Sequence, residues 1–170
     1  MANTQNAYGF KPWGPTLSIK RYQKDSGASV TYKWDVINMA ADGGVDPATA
    51  GQTEIVGSAA HNSAASTAAD LMVFDDPTQK FECQDDGSAT LAQTNIGNMA
   101  DHVAGTGSST TKISGHTLNA TGASSSAAGF LILDLVQRQG NAFGAYGSMV
   151  VVPNEHLHKY ITGGAGRAGI

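Results

Sequence analysis

A chain of 170 residues holds one domain, or one domain with an arm, and is too short for two of full size. Ala, Gly, Ser and Thr supply 75 residues while Leu, Ile, Val and Phe supply 31, so large core residues are scarce. Lys+Arg at 10 against Asp+Glu at 14 leaves a net charge of −4, which excludes the general basic footprint of a nucleic-acid-binding protein. Burial contributes only about 25 cal/mol per Å² against the entropy of ordering each residue, so a thin core yields modest stability alone. The composition predicts a chain completed by oligomerisation or by lying on a partner, rather than a self-sufficient compact enzyme.

Residues 1–16 read as an extended arm. Tyr8, Phe10 and Trp13 stand among Gly9, Pro12, Gly14 and Pro15, and each proline biases its predecessor toward extended backbone. Such aromatics are anchors for grooves, in the same subunit or in a neighbour. Residues 17–162 read as a β-rich body and 163–170 as a flexible Gly-rich tail. Period-two alternation predicts strands at 17–20 and 30–34 around the turn Asp25-Ser26-Gly27, continuing through 36–39, with another at 54–57. Residues 58–69, rich in Ala, Ser and Thr, read as a surface loop or a short helix. The apolar run 71–74, the Asp75-Asp76-Pro77 turn and the alternating 80–84 predict a hairpin.

One helix is expected within 88–104, where Ala92, Ile96, Met99 and Val103 recur at helical spacing behind Ser88, although Gly97 weakens it. Residues 106–126 read as a long connection or a pair of short edge strands. The strongest core strand is 130–136, followed by 148–152 beyond the turn Gln139-Gly140-Asn141, with 154–161 as its extension. Many short strands punctuated by Gly, Asp and Pro predict an all-β fold, a small β-barrel or β-sandwich with at most one or two short helices.

Candidate chemistry is sparse. Glu155, His156 and His158 form the tightest metal-ligand cluster, needing a third ligand from His61, His102 or His116. Polar residues at a strand end are the simpler account, and those three isolated histidines are expected to be exposed. Asp75-Asp76 and Asp85-Asp86 each precede a turn residue, so local hydrogen bonding explains them better than calcium does. The GxGxxG match at 164–169 lacks the helix that dinucleotide binding needs, which makes it an accident of a glycine-rich tail. There is no GxSxG elbow and no HExxH, although a serine–histidine pair can still form in space. The single Cys83 excludes an intramolecular disulfide and a Cys-based zinc site. The longest apolar run, 130–136, contains Asp134 and falls far short of the roughly 18 residues of a membrane span. With no basic, apolar leader at 1–6, synthesis and folding in a reducing cytoplasm are expected. Neither cofactor nor metal is expected, and neither nucleic acid nor membrane as a partner.

The opening Ala7-Tyr8-Gly9-Phe10-Lys11-Pro12-Trp13-Gly14 resembles the start of tailed-bacteriophage head decoration, or capsid cement, proteins. The later order is similar too: an aliphatic strand with Asp-Asp-Pro, then 80–84, Asn95-Ile96-Gly97, Gly105-Thr106-Gly107, Ser114-Gly115 and 150–156. Trp13 and the long Ala/Ser loop depart from that pattern. The resemblance implies a virion protein, usually a homotrimer, that sits on the capsid exterior and cements neighbouring capsomers. Its partners would be the major capsid protein and further copies of itself, with assembly in the host cytoplasm. The resemblance also implies that the arm, through Tyr8, Phe10, Pro12 and Trp13, docks on the capsid or an adjacent subunit. It carries over no catalytic residue. The alternatives are another phage component (a head–tail connector, a tail or fibre-base protein) and a metal-binding module or enzyme built on His156 and His158.

Overall fold

Strands form where apolar and β-branched residues alternate with polar ones, and the chain has many such short stretches. The computed structural model describes residues 3–66, 69–124 and 128–159. In chain order the strands are β1 (Lys11–Trp13), β2 (Lys20–Gln23), β3 (Val36–Met39), β4 (Val45–Pro47), β5 (Ile55–Ala59) and β6 (Asp70–Phe74). They continue as β7 (Lys80–Gln84), β8 (Met99–Ala100), β9 (His102–Val103), β10 (Thr117–Leu118), β11 (Phe130–Leu135) and β12 (Ser148–Pro153). The fold is all-β. Its antiparallel sheets have the orders β1-β7-β12-β11-β8 and β2-β6-β5-β3-β4, beside a β9-β10 ribbon. Among the described residues, no sheet closes into a barrel. The two large sheets instead share one core, in the manner of a sandwich.

That core takes Phe81, Cys83, Phe130, Ile132, Met149 and Val151 from the first sheet and Val36, Ile55 and Phe74 from the second. The far face of the second sheet buries Ile37, Val45, Val56, Leu71 and Val73 beneath Tyr22, Met39 and Leu157. Alternation explains the division, since neighbours such as Val36 and Ile37 point to opposite faces. The scarce large residues are thus concentrated on both faces of one sheet and one face of the other.

Chain order and sheet order are related simply. Strands β2 to β6 build the second sheet from residues 20–74, and β7, β8, β11 and β12 build most of the first. A segment near each end of the described residues then crosses to the other half. β1 adds to β7, with Lys11 opposite Glu82 and Trp13 opposite Lys80. At the far end Ile55 N–H donates to Glu155 O at 3.2 Å and Leu157 N–H to Ile55 O at 2.8 Å.

Several expected elements differ. β6 and β7 do not form a hairpin, because they lie in different sheets. Asp76 Oδ1 accepts the Thr78 N–H and hydroxyl at 2.7 and 2.6 Å, and this turn carries the chain across the core. The first strand of the body begins at Lys20, so 17–19 stays outside it. Residues 30–34 make only isolated bridges. Trp34 has φ 72°, and Asp35 N–H closes a turn on Tyr32 O at 3.1 Å. The helix expected within 88–104 is absent apart from a 3-10 turn at Gln93–Asn95. Gly97 adopts φ 87°, its N–H donates to Ile132 O, and Ala100 pairs with Phe130, so sheet pairing overrides a helical period resting on small residues. Among the described residues of 106–126 one short strand, β10, pairs with β9. Instead of extending β12, the residues after Pro153 turn to meet Ile55. The expected tail, 163–170, and its GxGxxG match lie outside the described residues.

Candidate functional site

The residues of the expected arm fold onto the body of their own chain. Asn3 Nδ2 donates to Ala142 O and Ala145 O at 2.9 and 3.0 Å. Gln84 accepts Asn6 N–H at 2.7 Å and donates to Thr4 O at 2.9 Å. Gly9, at φ 76°, turns the chain inward. Phe10 is then fully buried between the sheets, its ring 4.5 Å from that of Phe130. Pro12 suits an edge strand, where its missing N–H costs no ladder bond. Of the four residues expected to dock outside, Tyr8 and Phe10 are engaged internally, Pro12 is half-buried, and Trp13 stays exposed.

Tyr8 closes the polar clasp of the arm. Its hydroxyl donates to Glu82 Oε1 at 2.8 Å and lies 3.0 Å from Ser148 Oγ. Arg138 pairs with the same Glu82 oxygen and donates to Ser148 Oγ at 2.6 Å. Burial pushes the Tyr8 phenol far above its ordinary value, the Ser148 hydrogen bond opposes that, and Glu82 adds to it. Glu82, Gln84 and Ser148 share the outward face of the first sheet, yet all three are buried because the arm covers them. Sequence reasoning singled out neither Glu82, Ser148 nor Arg138. The available signal was the polar half of the β7 alternation.

A second polar cluster lies inside the core. His102 and His116 are buried, contrary to the expected exposure, with rings stacked 5.6 Å apart beside Phe10 and Phe130. His61 is half-exposed and accepts the Met72 N–H at Nε2. His116 Nδ1 accepts Val36 N–H at 3.3 Å, which leaves the proton on Nε2, 3.6 Å from Asp35 Oδ1. Burial holds His116 down to about 3, and His102 adds to the effect, so the imidazole facing Asp35 is neutral at pH 7. Asp35 is pushed up to about 6 by burial, against hydrogen bonds from Ser114 and Tyr32 N–H and the charge of Lys24. Ser114, Asp35 and His116 are therefore the serine–histidine–carboxylate set that the sequence left open. The Ser114 hydroxyl accepts the His116 backbone N–H at 2.9 Å; it does not lie against an imidazole that could take its proton. The backbone at Gly9 covers it so closely that a Cβ there would lie 2.4 Å from Ser114 Cβ.

His156 and His158 do come together, with ring centroids 5.6 Å apart. His156 Nδ1 accepts the His158 N–H at 3.1 Å, and burial holds His156 down to about 4. His158 Nε2 lies 3.1 Å from the Tyr22 hydroxyl, which donates to Asp75 Oδ2. Among the described residues, no three His, Cys, Asp or Glu side chains form a group able to hold a metal ion. Asp85 and Asp86 accept backbone N–H groups of Gly87 and Ser88, as expected of turn residues.

The exposed feature is apolar. Trp13, Leu17 and Ile19 are 38%, 53% and 44% exposed on the segment joining the sheets. Buried Gln79 fixes that segment, accepting Leu17 N–H at 3.0 Å and donating to Trp13 O at 3.4 Å, while Ser18 Oγ donates to Asp75 at 2.7 Å. Trp13 stands between two open grooves of about 310 and 360 Å³, and Lys80 lines both. Leu17 walls the first, and Leu133 and Val150 the second. Comparison with protein-family models, curated proteins and solved structures finds no match to this chain.

Proposed function

We propose that this chain is a structural virion protein of a tailed bacteriophage, binding the outer surface of the capsid as a homo-oligomer, by resemblance a trimer, and cementing neighbouring capsomers. The observation that carries the reading is the segment from Trp13 to Ile19. It presents three of the five exposed large apolar side chains among the described residues. Gln79 holds its backbone and Asp75 its Ser18 hydroxyl, so docking requires little further ordering. Covering the exposed half of a Leu side chain contributes about 1 kcal/mol, and repetition over a symmetric shell multiplies such contacts into avidity. The mechanism is binding energy, with the major capsid protein as partner and no turnover. A serine whose hydroxyl takes a backbone N–H and which lies beneath the arm supports a non-enzymatic role.

Antibody raised against the chain is expected to label tailed-phage particles at many points over the head. Trp13→Ala combined with Leu17→Ser is expected to reduce both occupancy and heat protection of those heads. Label at a single vertex would assign the chain to a connector or tail component, and unlabelled particles would overturn the proposal.

A further inference from the structure

The edge of the first sheet gathers cations around both tryptophans. Lys11 and Trp13, two residues apart on β1, point to the same face, and Lys80 lies directly opposite Trp13 on β7. On the other side Lys11 Nζ lies 5.9 Å from the centre of the Trp34 ring, and Lys33 Nζ lies 4.8 Å from it. Trp34 is held at φ 72°, an unusual conformation for a bulky residue, and is fixed by Phe10 N–H to its carbonyl at 2.8 Å and by its own N–H to Ala59 O at 2.8 Å. Lys33, Trp34, Lys11, Trp13 and Lys80 thus form one continuous strip.

None of the three ammonium groups is within ion-pair distance of a carboxylate among the described residues. Two carboxylates lie close. Glu82, opposite Lys11, is buried and committed to Arg138 and Tyr8, while Asp134 lines the groove beside Trp13 and accepts Leu135 N–H. A chain of net charge −4 therefore keeps a locally basic edge interleaved with indoles. Pro12, in the middle of β1, has no N–H to offer an added strand, which leaves side-chain contacts as the means of recognition.

We infer that this edge binds an acidic segment of a partner protein, with carboxylates on Lys11, Lys33 and Lys80 and an apolar side chain beside Trp13. The inference rests on the virion reading for the partner's identity and on charge complementarity for its chemistry. Long-range attraction from an unpaired basic strip speeds encounter, and the indole contacts then slow release.

The chain has two tryptophans and both lie in the strip, so intrinsic tryptophan fluorescence reports on this edge alone. The probe is a short peptide of glutamate and leucine, with a lysine–leucine peptide and single-stranded oligothymidylate as the other arms. The acidic peptide is expected to change the emission saturably. Binding should weaken about tenfold in a folded Lys11→Glu/Lys80→Glu variant, and about as much when salt shortens the Debye length from about 30 to about 3 Å. Lys159→Glu, outside the strip, should leave it unchanged. No saturable change, equal binding of the basic peptide, or tighter binding of the oligonucleotide would each overturn the inference. If the acidic peptide binds and phage heads do not, this edge stands and the virion reading fails. If heads bind and the charge reversals do not weaken that attachment, the reverse holds.

Discussion

The Tyr8 phenol, the Glu82 carboxylate and the Arg138 guanidinium form a small network in which each group depends on the others. Glu82 is 4% exposed and Arg138 48%, so the pair is only partly sheltered and its Coulomb gain is partly screened. The larger cost of breaking it is the loss of the hydrogen bond between Tyr8 and the buried Glu82 carboxylate, since Ser148 Oγ, 3.0 Å away, can still take the Tyr8 hydroxyl. Glu82→Ala is expected to lower stability by about 2 kcal/mol and Tyr8→Phe by about 1 kcal/mol in denaturant unfolding. Both should make residues 3–10 more sensitive to protease.

His156 makes an opposite kind of prediction, one of pH. Its imidazole is held down to about 4 by burial, from an ordinary 6.5, so below pH 6.5 the unfolded chain takes a proton that the folded chain refuses. Stability from this residue is complete above pH 6.5 and falls as pH drops toward 4, by about 1.4 kcal/mol per unit. Asp35 acts with the other sign. Pushed up to about 6 from 3.8, it stabilises fully below 3.8, and that contribution is lost as pH rises through 6. Between pH 7 and 5, His156→Gln is therefore expected to lose about 2 kcal/mol less stability than the parent chain. An unchanged difference would mean that His156 is protonated in the fold.

At the scale of elements, the N-terminal segment behaves as part of the core. Phe10 fills a position between the sheets, and Phe10→Ala is expected to cost about 3–5 kcal/mol, read as a drop in the unfolding midpoint. Gly9 is needed for its entry. Besides its φ of 76°, a Cβ there would meet Trp34 O at 2.4 Å, so Gly9→Ala should destabilise by more than the about 1 kcal/mol typical of a backbone substitution. Deleting the arm would thus remove core along with surface. Trp13 and Leu17, which are exposed, are the positions where the proposed docking can be tested without removing core.

At the scale of the whole molecule, the crossing of residues 11–13 and 155–157 couples the two sheets. β1 completes the sheet made by the second half of the chain, and 155–157 bond to β5 in the sheet made by the first half. Both sheets also share the central core. Unfolding is accordingly expected to be a single cooperative transition, and fragments cut within 75–79 are expected not to fold separately. Circular dichroism of fragments 1–76 and 77–170, alone and mixed, checks this. Independent β structure in either fragment would show that the crossings are dispensable.

The strands at 36–39, 80–84, 130–135 and 148–153 were legible as a sequence because their alternation is local and large residues carry it. The same local chemistry identified the Asp76 and Asp85 turns, and it placed aromatic anchors on the N-terminal segment. Local signals determined the all-β class and the positions of β3, β5, β6, β7, β11 and β12. They did not determine which strands pair, because β6 and β7 carry the same alternation whether they form a hairpin or cross between sheets. The helical spacing at 92–103 failed for a related reason: pairing with β11 outweighs a propensity carried by small residues and Gly97. Only the tertiary structure decided that Phe10 is core and Trp13 surface, that His102 stacks on His116, and that both tryptophans share an edge with three lysines. Each of those outcomes depends on contacts between residues far apart in the chain, and such contacts leave no periodic mark on the sequence.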